Sequence, residues 1–205
     1  MNGKIITRED NNNVEEFLQK LIDSKKLPTH VKTVEDAFAI RQMGEELGFA
    51  TMQSFHYIIP IQGKLSLSAK ATGALLRKGG IQFQTLEDGV FVYDDGTTSE
   101  YKDPKKKPID IRTKIRFVRG NMEEITSFSW KDAESMGLTG KDNWKKMPKF
   151  MLWARCLSAG ANRIGADLLL GLYTVEELFD HMEEGSVVVN RNEEGEIIEI
   201  VEEKK

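Results

Sequence analysis

Apolar positions recur at helical spacing in the first part of the chain. Val14, Phe17, Leu18, Leu21 and Ile22 fall on one face, and Asn13 followed three residues later by Glu16 predicts the N-cap. Thr33 with Asp36 opens a second helix through Leu47, and Gly48 suits the left-handed position just past its end. The period then changes. Residues 57–68, YIIPIQGKLSLS, read as two extended pieces around Gln62, Gly63 and Lys64, with Pro60 on an edge because it has no amide hydrogen for a ladder. Ser68 caps a short helix to Lys78, which Gly79-Gly80 ends. A hairpin is predicted next, IQFQTLE and VFVY joined at Asp88-Gly89, the dipeptide that tight type I′ turns favour. The polar stretch DDGTTSEYKDPKKKP follows as a loop.

The clearest alternation lies in residues 109–130, IDIRTKIRFVRGNMEEITSFSW. Ile109, Ile111, Thr113, Ile115 and Phe117 point one way, and Arg112, Lys114 and Arg116 the other. With Gly120-Asn121 as a two-residue turn, Arg116 faces Ile125, Lys114 faces Ser127 and Arg112 faces Ser129. On the opposite face Ile115 pairs with Thr126 and Thr113 with Phe128. One face is therefore apolar enough for a core, while the other is basic and hydroxyl-bearing.

Beyond it, Asp132 lies three residues after Ser129, so the pair caps a short helix that stops at Gly137. A lysine-rich loop follows, and Pro148 sits in the first turn of a helix over KFMLWARCLSAGANRI, with Phe150, Ala154, Leu157 and Ala161 as its apolar stripe. Thr174 and Glu177 cap a last helix that carries Val175, Leu178, Phe179 and Met182 and ends at Gly185. The remainder, SVVVNRNEEGEIIEIVEEKK, reads as either a loose hairpin or a disordered tail. The pattern predicts an α+β fold, antiparallel hairpins and a small sheet packed against helices, with one core over 1–182 and an acidic tail over 183–205.

The 205 residues, 40% of them hydrophobic, suffice for one substantial core. No apolar run approaches the roughly 18 to 20 residues of a membrane span, and MNGKIITREDNNN lacks a signal-peptide stretch, so the expected location is the cytoplasm. The single cysteine, Cys156, can form no internal disulfide. His30, His56 and His181 lack zinc-ligand spacing, so no structural metal or other cofactor is expected, with Mg²⁺ at most a modulator of binding. The formal charge of −4 is unevenly spread. Residues 102–119 hold eight basic residues against Asp103 and Asp110, whereas 183–205 hold eight glutamates against Arg191, Lys204 and Lys205. That asymmetry fits a polyanion-binding core with an acidic end directed to solvent or partners.

The candidate contacts follow from that asymmetry. Arg112, Lys114 and Arg116 form a row spaced at roughly 6.5 to 7 Å, close to the spacing of phosphates on an extended strand. Like charges along one face repel, which favours an anionic ligand there. Lys145, Lys146 and Lys149 cluster near a helix start, and Lys64 is either an exposed turn lysine or a phosphate contact. Arg155 and Arg163 lie on an otherwise apolar helix and need an anionic partner, a carboxylate or DNA. Trp144 and Trp153 first suggest core packing, with base stacking open to Trp144. Val14, Phe17, Leu18, Leu21 and Ile22 serve either the core or a contact between copies.

Residues 128–178, from FSWKDAESMGLTG to LLLGLYTVEEL, resemble the C-terminal half of the core of RecT-family phage annealing proteins. The resemblance is carried in order by Asp132-Ala133, Gly137-Leu138, Trp144, Pro148, Met151-Leu152, Ala154-Arg155, Arg163, Asp167-Leu168, Gly171, Tyr173-Thr174 and Glu176-Glu177. Residues 46–80 are similar to the family's helix, strand, Gly-Lys turn and following helix. Leu65 stands where the family commonly has proline, and Ile164-Gly165-Ala166 where it has a proline or an aromatic residue. The resemblance implies single-stranded DNA binding and annealing of complementary strands to duplex without nucleotide hydrolysis. It also implies a homo-oligomeric ring or helical filament, and a phage or prophage setting with an exonuclease and a host single-strand-binding protein as companions. The resemblance implies a non-enzymatic role, and the chain has no Walker-type Gly-Lys-Ser/Thr loop, which agrees with an activity that needs no ATP.

Two other readings stay open. Asp94 with Glu100-Tyr101-Lys102 matches the loose Asp…Glu-x-Lys pattern of metal-dependent nucleases, although these residues fall in a loop rather than on rigid strands. The other alternative is a simple single-strand binder without annealing activity.

Overall fold

Helix α1 (Arg8–Asp23) begins well before the N-cap expected at Asn13, because asparagine is a weak helix former but does not break a helix that is otherwise supported. The computed structural model of the chain describes residues 8–180, 182, 187–191 and 197–202. Leu18 is fully buried and Val14, Leu21 and Ile22 pack against the core, while Phe17 remains 49% exposed. Helix α2 (Val34–Glu46) starts where its sequence indicates, with the Asp36 amide donating to the Thr33 hydroxyl at 3.1 Å. A further helix, α3 (Thr51–Tyr57), precedes the first strand. Strands β1 (Ile58–Ile61) and β2 (Lys64–Leu67) form a separate two-stranded sheet in which Pro60 pairs with Leu65. Ser68 then caps α4 (Ala69–Lys78) by accepting from the Ala71 amide at 3.1 Å.

The hairpin expected at Asp88-Gly89 does not form. Residues Gln82–Val92 are one strand, β3, which pairs antiparallel with β5 (Asp110–Arg119) from Gln82 opposite Val118 to Val92 opposite Asp110. The register slips between Thr85 and Glu87 and again between Glu87 and Val90. Gly89, at φ 57°, takes the left-handed conformation that a bulge requires, and its amide donates to Thr113 Oγ1 at 3.1 Å. The left-handed glycine that favours a tight turn here bends a continuous strand. A short strand, β4 (Thr98–Ser99), pairs with the end of β3.

The hairpin of β5 with β6 (Met122–Ser129) has the expected register: Arg112 opposite Ser129, Lys114 opposite Ser127, Arg116 opposite Ile125. Thr113, Ile115 and Phe117 are fully buried. Ile109 departs from that face, for it precedes the strand and is 47% exposed. The four-stranded sheet has the order β4-β3-β5-β6.

Helix α5 (Trp130–Ser135) opens on a reciprocal cap, the Ser129 amide donating to Asp132 at 2.8 Å and the Asp132 amide to Ser129 at 3.2 Å. Two more short elements that the sequence pattern does not show, α6 (Asp142–Lys146) and α8 (Ala166–Leu169), lie on either side of α7 (Pro148–Ile164). Helix α7 lies across β3, β5 and β6. Its Ala154, Leu157 and Ala161 join Ile115 and Phe117 in the main core, while Met151 and Leu152 pack with Ala133, Leu138 and Trp144. Burial therefore extends well beyond the expected stripe. Helix α9 (Val175–Asp180) sets Val175, Leu178 and Phe179 against Ile59 and Ile61, and its expected end at Gly185 lies outside the described residues. Strands β7 (Val187–Arg191) and β8 (Ile197–Glu202) form an antiparallel hairpin, so of the two readings of the acidic segment the hairpin holds. Among the described residues no helix is long and apolar enough to cross a membrane.

Candidate nucleic-acid interface

The basic row on β5 meets carboxylates from both neighbouring strands. Glu87, set opposite Lys114 by the β3 bulge, accepts from Arg112 Nε at 2.7 Å, Arg112 Nη2 at 3.0 Å and Lys114 Nζ at 3.1 Å. Glu123 on β6 accepts from Arg116 Nε at 2.9 Å and Nη2 at 2.7 Å. Burial pushes the Glu87 carboxyl up, yet the hydrogen bonds from Arg112 and Lys114 hold it below its ordinary value. The Arg116 fork lowers Glu123 in the same way. The repulsion inferred from sequence is thus relieved within the fold by two carboxylates, and the row is no longer a bare set of cations. The Glu87 contacts require β3 to run beside β5, an arrangement that a tight hairpin at Asp88-Gly89 does not supply.

Trp144 is fully buried, with its Nε1 3.4 Å from Asp180 Oδ1 and its ring beside Phe128 and Trp130. Stacking on a base needs an exposed ring face, so Trp144 is corrected from a candidate contact to a core residue. Arg155 is corrected likewise. Its Nε lies 3.2 Å from Asp180 Oδ2, the two side chains are only 13% and 2% exposed, and its guanidinium lies over the Phe128 ring. Burial pushes the Asp180 carboxyl above its ordinary range, against the pull of Arg155, the Trp144 indole and Lys141. Arg163 is exposed and meets Glu124 at 2.6 Å. The anionic partners expected for these arginines are therefore Asp180 and Glu124.

Lys145 and Lys146 end α6 and Lys149 lies in the first turn of α7, so the fold brings these three exposed lysines together, with Lys146 3.3 Å from Asp142. Lys64 stands apart, exposed at the start of β2. Asp94, Glu100 and Lys102 are exposed on the segments flanking β4. Among the described residues no three His, Cys, Asp or Glu side chains converge to hold a metal ion.

The structure also holds a groove that the sequence pattern does not announce. A groove of about 840 Å³ runs between α3 and α4 on one side and β3 and α7 on the other. Its polar and cationic lining includes His56, Lys70 and Arg77, and its aromatic lining Phe83, Phe150 and Trp153. Lys70, Gly73 and Arg77 recur at i, i+3 and i+7, which puts them on one face of α4. At Gly73 a β-carbon would lie 3.3 Å from Phe83 Cζ, so glycine lets the Phe83 ring close against the helix. Arg77 then lies with its guanidinium carbon 4.4 Å from the centroid of that ring. Opposite, Phe150 and Trp153 stand with centroids 6.3 Å apart, and the indole Nε1 donates to Thr85 Oγ1 at 3.2 Å, which fixes its plane. Among the described residues no carboxylate lies within ion-pair distance of Arg77.

The sequence signal for the groove was faint. Lys70 and Arg77 look like ordinary exposed positions of a short helix, and Trp153 sits inside an apolar stretch that points to the core. Comparison of the chain with family models, with curated proteins and with solved structures gives no match. The surface chemistry therefore carries the functional reading.

Proposed function

We propose that the protein binds single-stranded DNA in the groove between α4 and α7 and anneals complementary strands without nucleotide hydrolysis, the activity that its resemblance to RecT-family proteins implies. The observation that carries this reading is the sharing of one groove by cations and ring faces, with Arg77 stacked on Phe83 beside Lys70, and Phe150 and Trp153 across from them. Cations neutralise phosphates whatever the sequence, and each base stacked on an aromatic ring adds about 1–3 kcal/mol with little preference among bases. Stacking engages a base through its faces and leaves its pairing edge free. A strand held this way stays available to a complement, and pairing in the product supplies the driving free energy.

The exposed Lys145, Lys146 and Lys149 extend the positive surface at the start of α7. Arg112, Lys114 and Arg116, with their carboxylate partners in place, hold the sheet together in this reading. Copies of the chain lengthen the groove in a ring or filament, and an exonuclease that exposes single strands and a host single-strand-binding protein are the fitting companions. Labelled oligothymidylate titrated with the protein at several salt concentrations tests the binding step. Log affinity falls steeply with log salt, and Lys70→Ala with Arg77→Ala weakens binding at least about tenfold. Undiminished affinity in that double variant contradicts the site.

A further inference from the structure

The groove's lining includes Ile197, the first residue of β8, alongside Lys70, Arg77 and Ile59. Ile197 packs with Met182 against the cluster of Ile59, Ile61, Val175, Leu178 and Phe179, so the hairpin is seated where the β1 floor of the groove meets α9. Two properties make that seat unlike ordinary core packing. The segment it belongs to, 183–205, carries eight glutamates against three basic residues, and its Ile197 lines a groove that also holds Lys70 and Arg77. Among the described residues the strands β7 and β8 pair with each other alone, in a two-stranded sheet separate from the main one. A lone two-stranded hairpin has little stability of its own, so its position depends on that seat.

We infer that the acidic hairpin is a built-in competitor for the groove, seated through Ile197, which leaves when a single strand enters. This rests on the reading of the groove as the DNA site. Phosphates and the glutamate-rich segment seek the same cations, so their occupancy is mutually exclusive. A strand binds with an affinity reduced by the fraction of molecules whose hairpin is seated. The device favours long strands, which spread contacts over neighbouring copies, over stray short oligonucleotides.

The test uses the full chain and a labelled oligothymidylate, with three proteins: the unaltered chain, Ile197→Ser, and a variant with Glu196→Gln, Glu199→Gln, Glu202→Gln and Glu203→Gln. Both variants are expected to bind about tenfold or more tightly than the unaltered chain at low salt. Amide hydrogens of residues 187–191 and 197–202 are expected to exchange faster once oligonucleotide saturates the unaltered chain. Binding by the unaltered chain that neither variant tightens removes the competitor and leaves the groove standing as the DNA site. Tightening by the glutamine variant alone reduces the effect to diffuse charge and overturns the seat at Ile197. Absence of binding by all three proteins overturns both readings together.

Discussion

Arg77 holds its guanidinium 4.4 Å from the centre of the Phe83 ring, joining a helix and a strand that meet at the groove wall. The ring supports one face of the guanidinium and leaves its N–H edge able to reach a phosphate. Replacing Arg77 by lysine keeps the charge but loses the planar stack. Arg77→Lys is expected to weaken oligonucleotide binding about three- to tenfold, with the salt slope unchanged, and Arg77→Ala to lower that slope by about one. Fluorescence anisotropy across a salt series reads both, and equal affinity for the two variants contradicts the stacked geometry.

The two tryptophans of the α6–α7 region are expected to separate cleanly. Trp144 is fully buried, so Trp144→Ala should cost about 3–5 kcal/mol of stability, an effect on folding rather than on binding. Trp153 is half-buried on the groove wall, so Trp153→Leu should leave the melting temperature within a few degrees and weaken binding by a stacked base, about 1–3 kcal/mol. Melting curves and titrations of both variants decide it, and a Trp153→Leu protein of full affinity contradicts the stacking role.

These residues also show what the chain made legible and what it did not. The β5–β6 register followed from Arg112 to Phe117 because a strict period of two and a Gly-Asn turn leave one pairing, local in sequence. Asp88-Gly89 misled because a left-handed glycine serves a bulge as well as a turn, and the choice depends on a partner strand some twenty-five residues away. The same long-range pairing is what sets Glu87 beside Arg112 and Lys114. Helices α3, α6 and α8 are too short for periodicity to register. The groove collects residues from α3, α4, β3, α7 and β8, so no local motif announces it.

Glu87 binds two cations of the basic row and is 19% exposed at its side chain. Glu87→Gln is expected to lower stability by about 1–2 kcal/mol, the value of charge-assisted hydrogen bonds on a partly buried face. Oligonucleotide affinity should change no more than about threefold, since the row serves the sheet. A much larger gain in affinity, with Arg112 and Lys114 released, places the DNA path over the sheet instead.

His30 gives the fold a pH dependence of known sign. Its Nε2 lies 2.8 Å from the Phe55 carbonyl oxygen, and burial holds the imidazole below the ordinary value of 6.5. The unfolded chain takes up a proton near that value while the folded chain resists it. The contribution is therefore complete above about pH 6.5 and is lost as pH falls through the lower folded value. The melting temperature should drop between about pH 7 and pH 5, and His30→Gln should flatten that drop. An unchanged slope in the variant assigns the titration to another group.

Phe17 on α1 and Phe38 on α2 are 49% and 39% exposed on helices that touch each other. They are the expected contact between copies. Phe17→Ser with Phe38→Ser should leave the circular dichroism spectrum intact and reduce the assembly seen by light scattering with saturating oligonucleotide. Assembly of unchanged size places the contact elsewhere.

The central claim is tested most directly by mixing two complementary oligonucleotides, one carrying a donor and one an acceptor fluorophore, with the protein and no ATP. The account predicts energy transfer that appears at least about tenfold faster than in the spontaneous reaction, slows as salt is raised, and is lost in the Lys70→Ala, Arg77→Ala double variant. A rate no faster than the spontaneous one, under conditions where the protein binds each strand, contradicts annealing and leaves a single-strand binder.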